Sequence, residues 1–196
     1  MLPDQTIVSA GLHLTEEEYD ALPREVADLI EVVDGRVVHR EPPSSERRRV
    51  VRNLVAALSP VRPTPGSAEV RRDADMKFST RRGRSRFTIR RPDVSVFRPL
   101  PEGAEPTSAD VCTAIEVTDP ASRTGFAQKL AEYAGQRIPV FLVVAVDKGR
   151  VQSVDEYRLD GSGRSYEVAA VHSERLAVEL SEGLNLNATF ADLARV

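Results

Sequence analysis

Two hydrophobic stretches constrain this chain more than any other feature. Residues 111–117 are apolar except for Thr113 and Glu116, and residues 140–146 are apolar throughout. Stretches of this length, rich in β-branched side chains, read as strands covered on both faces. Between them Phe126, Leu130 and Tyr133 recur at helical spacing, so residues 122–136 are expected to form a helix opened by Asp119-Pro120 and Ser122. Strand, helix and strand in succession specify an α/β architecture.

The flanking sequence adds elements to this frame. Thr15 and Glu18 form a capping-box pattern that starts a short helix ending near Leu22. Residues 29–33 and 36–40 are β-branched runs about Asp34-Gly35, a strong hairpin signal. After Pro42-Pro43, Ser44 or Ser45 can cap a helix that carries Val50, Val51, Leu54, Val55 and Leu58 on one face. Residues 69–89 are expected to be two strands joined by a loop around Arg82-Gly83-Arg84, and residues 93–97 a half-buried strand. Strands over 151–159, 165–171 and 176–180 precede a short helix near 189–193. The expectation is one domain over residues 15–196, with a mixed sheet, an N-terminal hairpin and additional C-terminal strands, preceded by a flexible arm over residues 1–14.

Charge narrows the function classes. The net charge of −3 argues against a protein that coats nucleic acid indiscriminately. Cations are nevertheless concentrated: Arg71, Arg72, Lys77, Arg81, Arg82, Arg84, Arg86, Arg90 and Arg91 share one segment, and Arg47, Arg48, Arg49 and Arg52 another. Such patches suit phosphate contacts, and an arginine-rich solvated hairpin would produce the same pattern. No run approaches the roughly 20 apolar residues of a membrane helix, and no signal pattern opens the chain, so a cytoplasmic protein is expected. The single cysteine, Cys112, excludes an internal disulfide and a cysteine-based zinc cage, and reads as a buried structural thiol. His13, His39 and His172 are scattered, without the spacing of paired metal ligands.

Acids inside apolar strands carry the chemical information, because an unpaired buried carboxylate costs several kcal/mol. Asp93 begins a strand after Pro92, and Glu116 lies at the end of a run whose neighbours favour a dry environment. Adjacent strands can bring both to one sheet edge, where a divalent cation would offset their repulsion. The Val117 carbonyl can supply a third oxygen, and Glu31, in another strand-like run, can complete the set. Lys129 is one of only three lysines; it borders the buried stripe of its helix, from which its ammonium can reach a strand end. The alternative is that these acids pair with arginines, and Lys129 with Glu132.

Taken in order, Arg91-Pro92-Asp93-Val94-Ser95-Val96, Ile115-Glu116-Val117-Thr118 and Gln128-Lys129-Leu130-Ala131-Glu132-Tyr133 resemble the PD-(D/E)XK nuclease superfamily. More narrowly, the chain is similar to the Uma-type family of restriction-endonuclease-like proteins, domain of unknown function 820. Glu31-Val32-Val33-Asp34-Gly35-Arg36, the serine-capped helix and Ile138-Pro139-Val140-Phe141-Leu142 extend the likeness from about Thr15 to the C-terminus. The resemblance implies a restriction-endonuclease-like core, a central mixed β-sheet flanked by helices with the acids at its open edge. Asp93 would match the Pro-Asp motif and Glu116 the first residue of Glu-x-Lys. Thr118 stands at the usual lysine position, and the lysine is expected from the following helix as Lys129, with Glu31 as an additional acid. The implied activity is Mg2+-dependent hydrolysis of a nucleic-acid phosphodiester, most naturally in DNA, with Mn2+ as a substitute. Arg81, Arg82, Arg84 and Arg86 would grip the backbone, and a homodimer would present the two sites that double-strand cutting needs. A catalytically inactive nuclease-fold module that binds nucleic acid or a protein is the competing expectation.

Overall fold

The computed structural model describes residues 12–58, 67–79, 87–101, 103–119, 125–180 and 184–196. Helix α1 (Glu16–Asp20) begins at the expected capping box: Thr15 Oγ1 accepts from the Glu18 amide at 3.2 Å, and Glu18 accepts from the Thr15 amide at 2.8 Å. A one-turn helix, α2 (Arg24–Ala27), follows Pro23 and leads into β1 (Ile30–Val33). The Asp34-Gly35 turn, with positive φ at both residues, joins β1 to β2 (Arg36–His39) as the hairpin signal requires. Of the arm expected over residues 1–14, residues 1–11 lie outside the described residues. Leu12 and Leu14 dock on the hairpin, through Val37 N–H to Leu12 O and Leu14 N–H to Gly35 O.

Ser44 caps α3 (Ser45–Leu58), its hydroxyl accepting from the Arg47 amide at 3.1 Å. The stretch expected to form two strands forms three. Strand β3 (Glu69–Arg72) ends at Asp73, where a left-handed backbone redirects the chain into β4 (Met76–Lys77), which pairs with β5 (Ile89–Arg90). The loop expected around Arg82-Gly83-Arg84 lies outside the described residues. Strand β6 (Val94–Phe97) is buried along its whole length rather than half-buried, because β3 and β7 (Val111–Thr118) pair with its two edges and side chains cover both faces.

Helix α4 (Phe126–Gly135) starts later than expected. Gly125, at φ 79°, serves as its N-cap, and the opening expected at Pro120 and Ser122 lies outside the described residues. The helix returns the chain so that β8 (Val140–Asp147) lies parallel to β7, followed by the antiparallel strands β9 (Arg150–Leu159) and β10 (Tyr166–His172). A separate hairpin of β11 (Arg175–Glu179) and β12 (Asn185–Thr189) precedes α5 (Phe190–Ala194). Strand β12 was not expected. Its asparagines are poor strand formers, but they face solvent while Leu186 and Ala188 turn inward.

The main sheet therefore runs β10-β9-β8-β7-β6-β3, and a smaller one β2-β1-β5-β4. One face of the main sheet packs on Val50, Val51, Leu54 and Leu58 of α3 and on Phe190 and Leu193 of α5. The other packs on Tyr133, Phe126 and Leu130 of α4. Cys112 is buried, with its thiol 3.2 Å from the Val96 carbonyl. Helices flank a central mixed sheet, as expected.

Candidate active site

The β6–β7 register pairs Val94 with Ile115. One step further, Asp93 and Glu116 stand opposite each other at a strand end, both buried. The register brings the two residues together, while their side chains find partners on different helices, Asp93 on α3 and Glu116 on α4. Asp93 Oδ2 accepts from the Val117 amide at 2.7 Å. A single nitrogen of Arg47, in the first turn of α3, donates to Oδ1 at 2.9 Å and Oδ2 at 2.8 Å.

Glu116 is held from the opposite helix. Its Oε1 accepts from Lys129 Nζ at 2.8 Å and from the Tyr133 hydroxyl at 2.9 Å. Lys129 and Tyr133 are four residues apart on α4, hence on one helix face. Lys129 also approaches Glu31 Oε1 at 3.6 Å. Glu31 in turn accepts from Arg90 Nη1 at 2.8 Å and from the Arg91 amide at 2.9 Å. Glu132 is not the partner of Lys129; it pairs with Arg90 at 2.7 Å and with Gln128 at 2.8 Å.

The electrostatics follow the geometry. Burial, and then the neighbouring Glu116 carboxylate, push Asp93 up to about 6, against the lowering pull of Arg47 and the Val117 amide. Burial disfavours the Lys129 ammonium, but Glu116 and Glu31 outweigh it and hold its pKa above the ordinary lysine value. Burial would also raise Glu31, yet Lys129 and Arg90 overcome it and keep that carboxylate ionised. Burial and the same two acids raise Tyr133 well above the usual phenol, so it remains a neutral donor. Two adjacent buried carboxylates, one reluctant to ionise, are each countered by a single side-chain cation, Arg47 on Asp93 and Lys129 on Glu116.

Asp93 and Glu116 fit a hard divalent cation by their oxygen chemistry and placement. Among the described residues no group of three or more His, Cys, Asp and Glu side chains is arranged to hold a metal, so an ion there would complete its shell with water and main-chain oxygen. Val117 touches Asp93 through its amide, while its side chain packs in the α3-side core. Glu31 is committed to Arg90, the Arg91 amide and Lys129, which makes it a holder of the lysine rather than part of the acid pair.

The cationic segment proves heterogeneous. Arg81, Arg82, Arg84 and Arg86 lie outside the described residues. Arg90 and Arg91 are buried in ion pairs, Arg71 pairs with Glu69 at 2.7 Å, and Lys77 pairs with Glu16 and Asp20 at 3.1 Å. These four are therefore engaged by acids of the protein itself, Arg90 and Arg91 in its interior. Outside the acid pair, His172 contacts Glu156 at 3.0 Å.

The family model described as "Putative restriction endonuclease", Uma2, matches residues 16–192. The chain belongs to the Uma2 family. Its fold is also that of a crystal structure titled as a "putative nuclease belonging to DUF820" from Anabaena variabilis ATCC 29413, at TM-score 0.64 and 20% identity. That similarity covers 92% of this chain and 97% of the other. No curated protein matches the sequence. Within this Uma2 chain, Arg47 and the hydroxyl of Tyr133 are the site groups that sequence reasoning missed. The Lys129–Tyr133 spacing could have revealed the second; nothing in the sequence separates Arg47 from Arg48, Arg49 and Arg52.

Proposed function

We propose that this protein is a metal-dependent nuclease that hydrolyses phosphodiester bonds, with DNA as substrate and Mg2+, or Mn2+ in its place, as cofactor. The observation that carries this reading is the convergence of Asp93 and Glu116 from adjacent strands with the charged Lys129 from the succeeding helix. Asp93 and Glu116 would hold the cation, with the Val117 carbonyl as a further oxygen donor. Bound there, a divalent ion supplies Lewis-acid polarisation of a phosphoryl oxygen and a more acidic water.

The remaining work falls to the protein's own groups. Lys129 stands as an ammonium against Glu116, where it can meet negative charge developing on the phosphoryl oxygens or orient the attacking water. Glu31 and Tyr133 fix the lysine and the carboxylate in that geometry. Arg81, Arg82, Arg84 and Arg86 are proposed as backbone contacts, which contribute affinity rather than sequence choice. Cutting both strands would be served by a homodimer, measured by light scattering. Among the described residues no helix is long and apolar enough to cross a membrane, in keeping with a protein acting on nucleic acid in the cytoplasm.

The Arg47–Asp93 pair favours one rival, a noncatalytic module whose acids are neutralised internally. A cleavage panel separates the two, with duplex, single-stranded and branched DNA in Mg2+ and in Mn2+, and Glu116→Gln alongside. Turnover that requires the metal and disappears in the variant supports the nuclease; salt-sensitive binding without turnover supports the module.

A further inference from the structure

Arg47 is bound to Asp93 in a manner that does not suit a permanent ion pair. Arginine holds a carboxylate best through two parallel N–H bonds from its planar fork. Here one nitrogen, Nη2, serves both carboxylate oxygens. Arg47 Nε is buried and has no hydrogen-bond partner. A buried donor left unused is costly, so half of the recognition edge is unspent in this state. The position is also unusual for its helix. Arg48 projects to solvent, and Arg49 reaches the Gly149 carbonyl at 3.3 Å, whereas Arg47 turns into the acid pair and remains partly exposed.

A guanidinium on Asp93 and a divalent cation on Asp93 are like charges competing for one carboxylate. Oδ2 already accepts from Arg47 and from the Val117 amide, so a cation drawing on that oxygen must displace one of the two. The amide belongs to the backbone of β7, whereas the guanidinium ends a long side chain that is partly exposed. Once displaced, Arg47 would carry its full fork, Nε included, at the rim of a site that proposes to take a phosphodiester. Arginine's fork matches phosphate geometry.

We infer that Arg47 is an exchangeable counter-ion: it neutralises Asp93 in the metal-free protein, is released by the incoming divalent cation, and then contacts the substrate phosphate. This rests on the nuclease reading above and assigns a phosphate-binding residue that the Asp93–Glu116–Lys129 set lacks. Such a residue should affect cation and nucleic acid in opposite directions, which a purely structural arginine would not do.

The test measures binding without turnover. Mn2+ affinity is read by calorimetry on the full chain, for the parent, Asp93→Asn, Arg47→Met and Arg48→Met. Affinity for a short DNA duplex is read in Ca2+, in place of Mg2+, over a salt series. Removing the competitor should make Mn2+ bind about tenfold tighter in Arg47→Met. The same variant should bind duplex more weakly, with the salt slope reduced by about one phosphate contact. Arg48→Met should leave Mn2+ affinity unchanged. If Arg47→Met does not fold, Arg47→Gln, which removes the competing charge but keeps a polar side chain, is read in the same way. Mn2+ binding that needs Asp93 but is no tighter in the Arg47 variant overturns the exchange while leaving the metal site standing. Absence of Mn2+ binding in the parent and in every variant overturns both. Binding that appears only when Arg47 is removed supports the exchange in its strongest form.

Discussion

Two buried charge clusters lie within a few residues of each other, and they are built in opposite ways. Around Arg91 the buried member is the cation: its side chain is 1% exposed, while its partners Asp28 and Asp75 are 48% and 26% exposed. Tyr19 adds a further oxygen to the Arg91 guanidinium. In the candidate site the buried members are the acids. Asp93 and Glu116 are 3% and 6% exposed, and their cationic partners Arg47 and Lys129 are 29% and 23% exposed. The first arrangement encloses one charge among acids that keep contact with water, and it joins α1, the α2–β1 connection and β4's approach to the strand before β6. The second encloses two like charges and leaves the neutralising groups partly exposed at the rim. One is suited to hold the fold together; the other is the site proposed to receive a cation.

The largest expected contrast is in catalysis. Asp93→Asn and Glu116→Gln should each lower Mg2+-dependent cleavage by about 10³-fold, roughly 4 kcal/mol of transition-state stabilisation, with the circular dichroism spectrum unchanged. Single-turnover rates check this, and undiminished rates would reduce the acid pair to a second staple.

Arg91→Met should act in the other currency. It removes the cation that Asp28 and Asp75 share and should cost about 2–3 kcal/mol, below the usual range for a broken buried pair because Asp28 keeps Arg24 at 2.9 Å and both acids can rehydrate. Denaturant midpoints measure the loss; a stable Arg91→Met protein without metal-dependent cleavage would invert the comparison.

The pH dependence sharpens it further. Asp93 is raised in the folded state to about 6 from an ordinary value of 3.8. Between those values Asp93 is protonated in the folded protein and ionised in the unfolded one, so its own contribution to metal-free stability should fall as pH rises from about 4 to 6, by an amount on the order of 2 kcal/mol. The difference in stability between the parent and Asp93→Asn should therefore change over that window by the same amount. Metal binding needs the ionised carboxylate, so cleavage in Mg2+ should rise over the same window and level above it.

The smallest effect belongs to Tyr133→Phe. It deletes one hydrogen bond to Glu116 Oε1 and leaves Lys129 in place. About 1 kcal/mol of stability and roughly a tenfold drop in cleavage are expected. Thermal melts and rates on the same preparation show whether the hydroxyl positions the carboxylate or only fills the core.

Much of this architecture could be read in one dimension. The apolar runs, the Asp-Gly hairpin and the capping boxes are local signals, so β7, β8, β1–β2, α1 and α3 appear where the chain alone indicates. The isolated acids in those runs marked Asp93 and Glu116 because burial makes an uncompensated carboxylate conspicuous. Local signals failed where long-range geometry decided. Asp73 switches the chain between sheets, and β12 is a strand because its hairpin partner and the core beneath it supply what its asparagines do not.

The sequence by itself therefore determined which residues had to find partners: acids placed in dry strands, a rare lysine beside a buried helical stripe and a surplus of arginines. Only the tertiary structure decided who those partners are. It set Lys129 and Tyr133 against Glu116, Arg47 against Asp93, and Arg90 and Arg91 deep in the fold rather than on a phosphate-gripping surface. The physical reason is that desolvation is dictated by a residue's neighbours along a strand, whereas charge pairing depends on a few ångströms between segments that only packing brings together.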